Sequence, residues 1–295
     1  MSGKIGFWRS LLAASVSGLA IVALAGPGGG GCGGGGGSTG TGSSSSSGGA
    51  STTGGSSSSG SASEPYSGSV TLGDGVTGAK DVLAEFLATA DASAVTCSGG
   101  ATCCYTPPPA TSSSGGSLTT YGAGTITVTD SGSTIDSLTY SGGLYVPSTT
   151  APVWNPGDSL TVSASGATVD AFTATVKAPG ILAGLAPALS FTSAISIPLA
   201  SNWSIAWTPD TASGENVILS ISAITSAEAS AGDITCTVPD SAGTVSVPSA
   251  LLGNFATGEK ATVILTRYAG ANATDANAVV HVLVNVEAGG SATLQ

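Results

Sequence analysis

NPGDSLTVSASGATVDAFTATVK, residues 155–177, decides the fold. Asn155-Pro156-Gly157-Asp158 is a turn with a mechanism, because proline presets the second position and glycine supplies positive φ at the third. After it Leu160, Val162 and Ala164 alternate with hydroxylated neighbours, and Phe172, Ala174 and Val176 do the same. A period of two with one apolar face predicts half-buried β-strands.

The same pattern runs outward in both directions. Upstream, Ile126 and Val128 alternate with Thr125, Thr127 and Thr129, and Leu138, Tyr140 and the run Leu144 to Val146 predict the next pair. Residues 79–90 are ambiguous. Val82, Leu83, Phe86 and Leu87 fit one helix face with Asp81 as a cap, and a strand running towards Cys97 fits nearly as well. Downstream, a Pro, Ala and Leu-rich bridge precedes Trp203, Ile205 and Trp207. Alternations then recur at Val217 to Ala223, Ile234 to Val238, Val245 with Val247, Val263 with Leu265, and Val280 to Val286. Pro248 to Leu252 predicts one short helical turn. Short strands at intervals near ten residues describe sandwiches.

The expected architecture is therefore all-β, with two immunoglobulin-like or fibronectin-like sandwich modules at 66–180 and 193–295, joined by a linker at 181–192. The segments Gly124 to Asp130 and Gly232 to Val238 loosely echo one another, which hints at a repeat.

Before residue 66 the chain has a different character. Lys4 and Arg9 precede a largely apolar run from Leu11 to Ala25 that ends in small residues, the layout of an export signal. Cys32 follows, and residues 33–63 contain only Gly, Ser, Thr and Ala. The expectation is a signal peptide over 1–25, or to 31 if Cys32 is lipidated, and a disordered Gly/Ser-rich tether over 26–65. As a random coil the tether spans roughly 30 Å, enough to lift a domain clear of a membrane surface.

Composition narrows the partners. Only 8% of residues are Asp, Glu, Lys or Arg, against about 25% in an ordinary soluble domain. Loss of a signal carrying two of the six Lys and Arg would move the formal charge from -11 to -13. Such a surface repels phosphate backbones and excludes nucleic acid as a partner. It also argues against a basic patch for anionic lipid.

Four further cysteines, Cys97, Cys103, Cys104 and Cys236, favour disulfides over thiols in an exported chain. A bridge between the neighbours Cys103 and Cys104 would be strained. The two remaining full pairings each join Cys97 to one of them and Cys236 to the other. One local bridge from Cys97 is expected, and Cys236 reads also as a buried thiol in a strand. Their spacing does not match a zinc site.

Catalytic chemistry finds little support. His281 is the single histidine, on the strand face opposite Val280, Val282, Val284 and Val286. No GxSxG elbow accompanies it. Asp158, Asp210 and Asp240 follow Pro-containing turns, where Asp caps backbone or stays solvated. No DxDxD loop is present, so neither a metal nor a cofactor is expected. Trp203 and Trp207 read as sandwich core. Trp154, just before a turn, and Tyr145 are the candidates for stacking a ligand such as a sugar.

The run ITCTVPDSAGTVSVPSALLGNFATGEKATVILTR, residues 234–267, resembles a segment recurrent in exported lipoproteins of myxobacteria and their relatives. NPGDSLTVSASG (155–166) and AFTATVKAPG (171–180) resemble its companion. The resemblance extends to the signal and tether and implies a tethered β-sandwich protein; it carries no activity and no functional residues. The triplet before Cys32 is Gly29-Gly30-Gly31, a departure from the lipidation pattern. The functional expectation is a non-enzymatic binding or adhesion module, surface-displayed or secreted, with a glycan or another surface protein as partner. A structural envelope component and a hydrolase of unrecognised type are the alternatives.

Overall fold

The computed structural model describes residues 66–88, 102–108, 119–148, 152–211, 214–274 and 279–295. Cys32, Cys97 and the expected signal and tether lie outside them. Among the described residues no helix is long and apolar enough to cross a membrane.

The fold is almost entirely β. Its strands are β1 (Tyr66–Asp74), β2 (Lys80–Ala88), β3 (Cys103–Thr106), β4 (Ile126–Asp130), β5 (Ser133–Ser141), β6 (Leu144–Pro147), β7 (Ser159–Ala164) and β8 (Phe172–Lys177). They continue with β9 (Ala183–Ala186), β10 (Ile195–Ile197), β11 (Trp203–Thr208), β12 (Asn216–Ile224), β13 (Ser230–Pro239), β14 (Thr244–Val247), β15 (Lys260–Thr274) and β16 (Val279–Leu294). The helical turn read from Pro248 onward is α1 (Ser249–Leu252), with Pro248 as its N-cap. The ambiguous segment near residue 80 is strand β2, because pairing with β1 turns Val82, Ala84 and Phe86 into the core and leaves Asp81 and Leu83 outside.

The turn at 155–158 forms as read. The Asp158 amide donates to the Asn155 carbonyl at 3.1 Å, and Gly157 has φ of 90°. Around it lies a sheet of order β6-β5-β4-β7-β8. A small second sheet runs β14-β11-β9. Both pack against one large sheet, β2-β1-β16-β15-β12-β13-β3, to which β10 adds by pairing with β16.

The large sheet is organised by its two longest strands. β15 and β16 pair without interruption from Lys260↔Thr293 to Thr274↔Val279. Side chains of a strand alternate between faces, so one set of residues along this hairpin lines a single face. At one end that face supplies Ala273, Val280, Val282 and Val284 to a core shared with β1, β2, β4, β5, β7 and β8. At the other it supplies Ala261, Val263, Leu265, Ala292 and Leu294 to a second core shared with β11, β12, β13 and β14. Burying each such Val or Leu contributes about 1.5–3 kcal/mol.

Two cores are thus present, but the chain does not divide between them at 181–192. That stretch contains β9, which pairs with β11. The first core depends on the far ends of β15 and β16, and its strand β1 runs parallel to β16. β3, from the first half of the chain, pairs with β13 in the second half. Alternation can show that a strand has an inner face but not which sheet that face meets, so the shared hairpin was invisible to it.

Cys103 and Cys236 lie opposite each other in the β3–β13 ladder and form a disulfide. Cys236 is therefore not a free buried thiol: its inward position on β13 faces that of Cys103. Cys104 is also disulfide-bonded.

Candidate functional site

The aromatic pair expected to meet a ligand is buried. Trp154 is 5% exposed and Tyr145 8%, and both belong to the first core. Tyr145 is the one inward residue of β6, flanked by outward Leu144 and Val146. Its ring packs 5.1 Å from that of Tyr140 and 5.7 Å from that of Phe86, and its hydroxyl accepts the Ala123 N–H. Burial pushes the Tyr145 phenol up. Lys80 covers the indole of Trp154, its Nζ 5.4 Å from the ring centroid, while donating to Asp74 at 2.7 Å. Neither ring offers a free face for stacking, a correction to the sequence reading. Trp203 and Trp207 are core residues, as read.

His281 is half-buried, and its Nδ1 lies 2.8 Å from Asn272 Oδ1. Burial holds its pKa below the usual histidine value. Ser69 is its register partner on β1, yet no hydrogen bond joins the two.

The densest chemistry lies where the two cores meet, at Arg267. Val263 and Leu265 set the inward series of β15, and Arg267 is its next odd position along that face. It is 1% exposed. A guanidinium so placed must be neutralised and hydrogen-bonded in full. Asp240, on the 3-10 turn Asp240–Ala242, supplies the charge: its Oδ1 accepts from Arg267 Nε at 2.9 Å and lies 2.8 Å from Nη2. The carbonyls of Gly180, Ile181 and Thr208 take the remaining donors at 3.0, 2.8 and 2.7 Å. Asp240 also accepts from Trp207 Nε1 at 2.8 Å and from the Asp210 amide at 2.6 Å. Asp210 in turn accepts the Gly180 amide at 2.6 Å.

Asp240 is therefore not a solvated turn residue; it is 2% exposed. The sequence reading missed this cluster. Its signal was an arginine at the inward parity of an apolar strand, in a chain with only six Lys and Arg.

Glu215 is the second carboxylate near Arg267, at 3.6 Å, and its Oε2 has no hydrogen-bond partner. The distance alone describes an ion pair, but the guanidinium is already engaged by Asp240. Burial first, then the charge of Asp210, pushes Glu215 up to about 7, with Arg267 acting the other way. Chemically the cluster is a buried ionic crosspiece, holding the 178–181 segment, β11, β12, β13 and β15 together. On the opposite face of the sheet, Glu287 is also pushed up to about 7, by burial first and the charge of Asp81 second.

These two acids set a pH dependence. In the unfolded chain they ionise near 4.5, and in the folded protein near 7. The stability they contribute is present below about pH 4.5 and is lost as pH rises through 7. His281 acts in the opposite sense below its ordinary value of 6.5, so the clean comparison is pH 6.5 against 8.5. Unfolding free energy by urea is expected to fall over that window by on the order of 1 kcal/mol, with part of the Glu287 contribution screened by solvent. Glu287→Gln and Glu215→Gln should each flatten the slope, and a flat wild-type profile would contradict the assignment.

Comparison with protein-family models, with curated proteins and with solved structures finds no match.

Proposed function

We propose that this chain is a non-enzymatic binding or adhesion module, displayed at the cell surface or secreted, whose ligand is another protein. One observation carries this reading: β6 is the terminal strand of its sheet and is apolar outward. Leu144 is 71% exposed and Val146 55%, and Val153 beyond the strand is exposed too. An edge strand leaves backbone donors and acceptors unpaired, and natural proteins normally protect such an edge with charge or proline; β6 ends in Pro147 but carries no charged side chain. Outward leucine and valine beside it favour a protein surface or an added strand over a sugar. The burial of Trp154 and Tyr145 removes the main support for glycan stacking. The N-terminal address, with acylation at Cys32 or simple release, would place the module outside the cell. The engagement of these carboxylates favours a structural role over hydrolysis, because Arg267 and backbone amides hold the buried Asp240 and the partly buried Asp210.

The test uses beads coated with the full chain and cells of its native source. Adherence lost when the cells are treated with protease, and lost with Leu144→Lys/Val146→Lys at unchanged Tm, supports the reading. Adherence lost on periodate oxidation instead indicates a glycan ligand, and no adherence overturns it. A second reading, assembly of an envelope or matrix layer, draws on the same sheet ending at β8 as well as β6. Sedimentation of the free chain separates the two, since self-association dissolved by the double lysine variant would favour assembly.

A further inference from the structure

The outer face of the large sheet carries an oxygen-lined position near its β2 edge. Asp81 on β2 is the register partner of Gly73 on β1, and Gly73 is the partner of Asn285 on β16. Asp81 and Asn285 therefore flank a glycine on the same face. A Cβ added at Gly73 would come 2.4 Å from Asp81 Oδ1 and 3.3 Å from Asn285 Oδ1. Both oxygens lean over the one residue without a side chain. Glu287 follows Asn285 by two positions and so shares its face, beside Thr266, which is buried.

Asn285 is 4% exposed, and its Oδ1 is buried without a hydrogen-bond partner. An unsatisfied buried acceptor is costly, and one set beside a carboxylate oxygen calls for a donor or a cation between them. The nearest lysine on β2, Lys80, is committed to Asp74 and the Trp154 ring. Among the described residues no three His, Cys, Asp or Glu side chains converge on a metal; here the third donor is an amide.

We propose that Asp81, Asn285 and Glu287 form a binding site for a hard divalent cation, Ca²⁺. Two carboxylates and an amide carbonyl are oxygen donors of the kind Ca²⁺ takes, with waters completing six to eight positions. Mg²⁺ demands closer octahedral geometry and gives up its water reluctantly, so side chains on two separate strands, β2 and β16, suit it less. The ion would clamp β2, β1 and β16 together close to the point where β1 ends. With only three protein donors the affinity belongs to the weak class, with Kd on the order of 0.1–1 mM. Gly73 is required because a side chain there would occupy the position over which the oxygens converge.

The test is calorimetric titration of the EDTA-treated full chain with CaCl₂, alongside thermal unfolding. One saturable site and a rise in Tm at 10 mM CaCl₂, exceeding that with MgCl₂, are expected. Asp81→Asn and Glu287→Gln should each weaken binding about tenfold by removing one ligand charge, while Asn285→Asp should tighten it. If Asn285 merely donated its amide to Asp81, Asn285→Asp would instead lower Tm and gain nothing from Ca²⁺, overturning the proposal. Absence of saturable heat to 10 mM, or an equal Tm rise in the Asp81→Asn/Glu287→Gln variant, would overturn it too.

Discussion

Replacing Arg267 with alanine is expected to destabilise the protein by about 3–5 kcal/mol, the cost of breaking a buried ion pair by removing one partner. The variant leaves the buried Asp240 without its guanidinium partner and strips the carbonyls of Gly180, Ile181 and Thr208 of their donors. Glu215, already short of a hydrogen bond, would face Asp210 and Asp240 without the one nearby cation that offsets them. Arg267→Lys should recover only part of the loss, because an ammonium cannot reach Asp240 and three carbonyls from one planar group. Urea unfolding of the full chain reads the effect. Because a loss of this size rivals the whole stability of many domains, Asp240→Asn in the Arg267→Lys background provides a milder check. Easing the carboxylate excess should regain stability there, and a further loss would show that Asp240 acts mainly as an acceptor for Trp207 and the Asp210 amide.

The second large effect is expected from Cys103 and Cys236. Their bridge closes a loop of 133 residues in sequence separation. The loop-entropy relation gives about 5 kcal/mol for a loop of that length, and removing native bridges from small secreted domains costs about 2–5 kcal/mol. Cys103→Ala/Cys236→Ala is the variant of choice, since a single substitution would leave a thiol able to exchange with the neighbouring bridge at Cys104. The loss should be uneven. β3 is a four-residue edge strand, and its register with β13 runs only from Asp233↔Thr106 to Cys236↔Cys103. Hydrogen exchange should therefore quicken first in β3 and β13, while β15 and β16 stay protected until global unfolding. Uniform loss of protection across all strands would contradict that ordering.

The class of fold was legible because it rests on short-range rules. A Pro-Gly turn at 156–157 and alternation in Leu160, Val162 and Ala164 act over a few residues, and no distant contact competes with them. Near residue 80 the same rules were undecided, since the apolar residues of β2 fit periods of both two and 3.6. Pairing with β1 resolved it. Trp154 and Tyr145 failed differently: Trp154 was read as exposed because it precedes a turn, and Tyr145 as a ring able to stack a ligand, but each ring is held by core residues from other segments. Arg267 shows the limit most plainly. Its inward parity was present in the sequence, yet its partners come from residues 180, 181, 208 and 240, which no local spacing connects.

The sequence by itself determined that the chain is β, where most strands start and turn, and that its surface is acidic and sparsely charged. Those properties follow from steric preferences and solvation of each residue and its immediate neighbours. Only the tertiary structure decided that one long hairpin serves two cores, that β1 lies beside the last strand, and that Cys103 meets Cys236. Such pairings are chosen by which apolar faces and buried charges can be satisfied together, and that is a property of the packed chain.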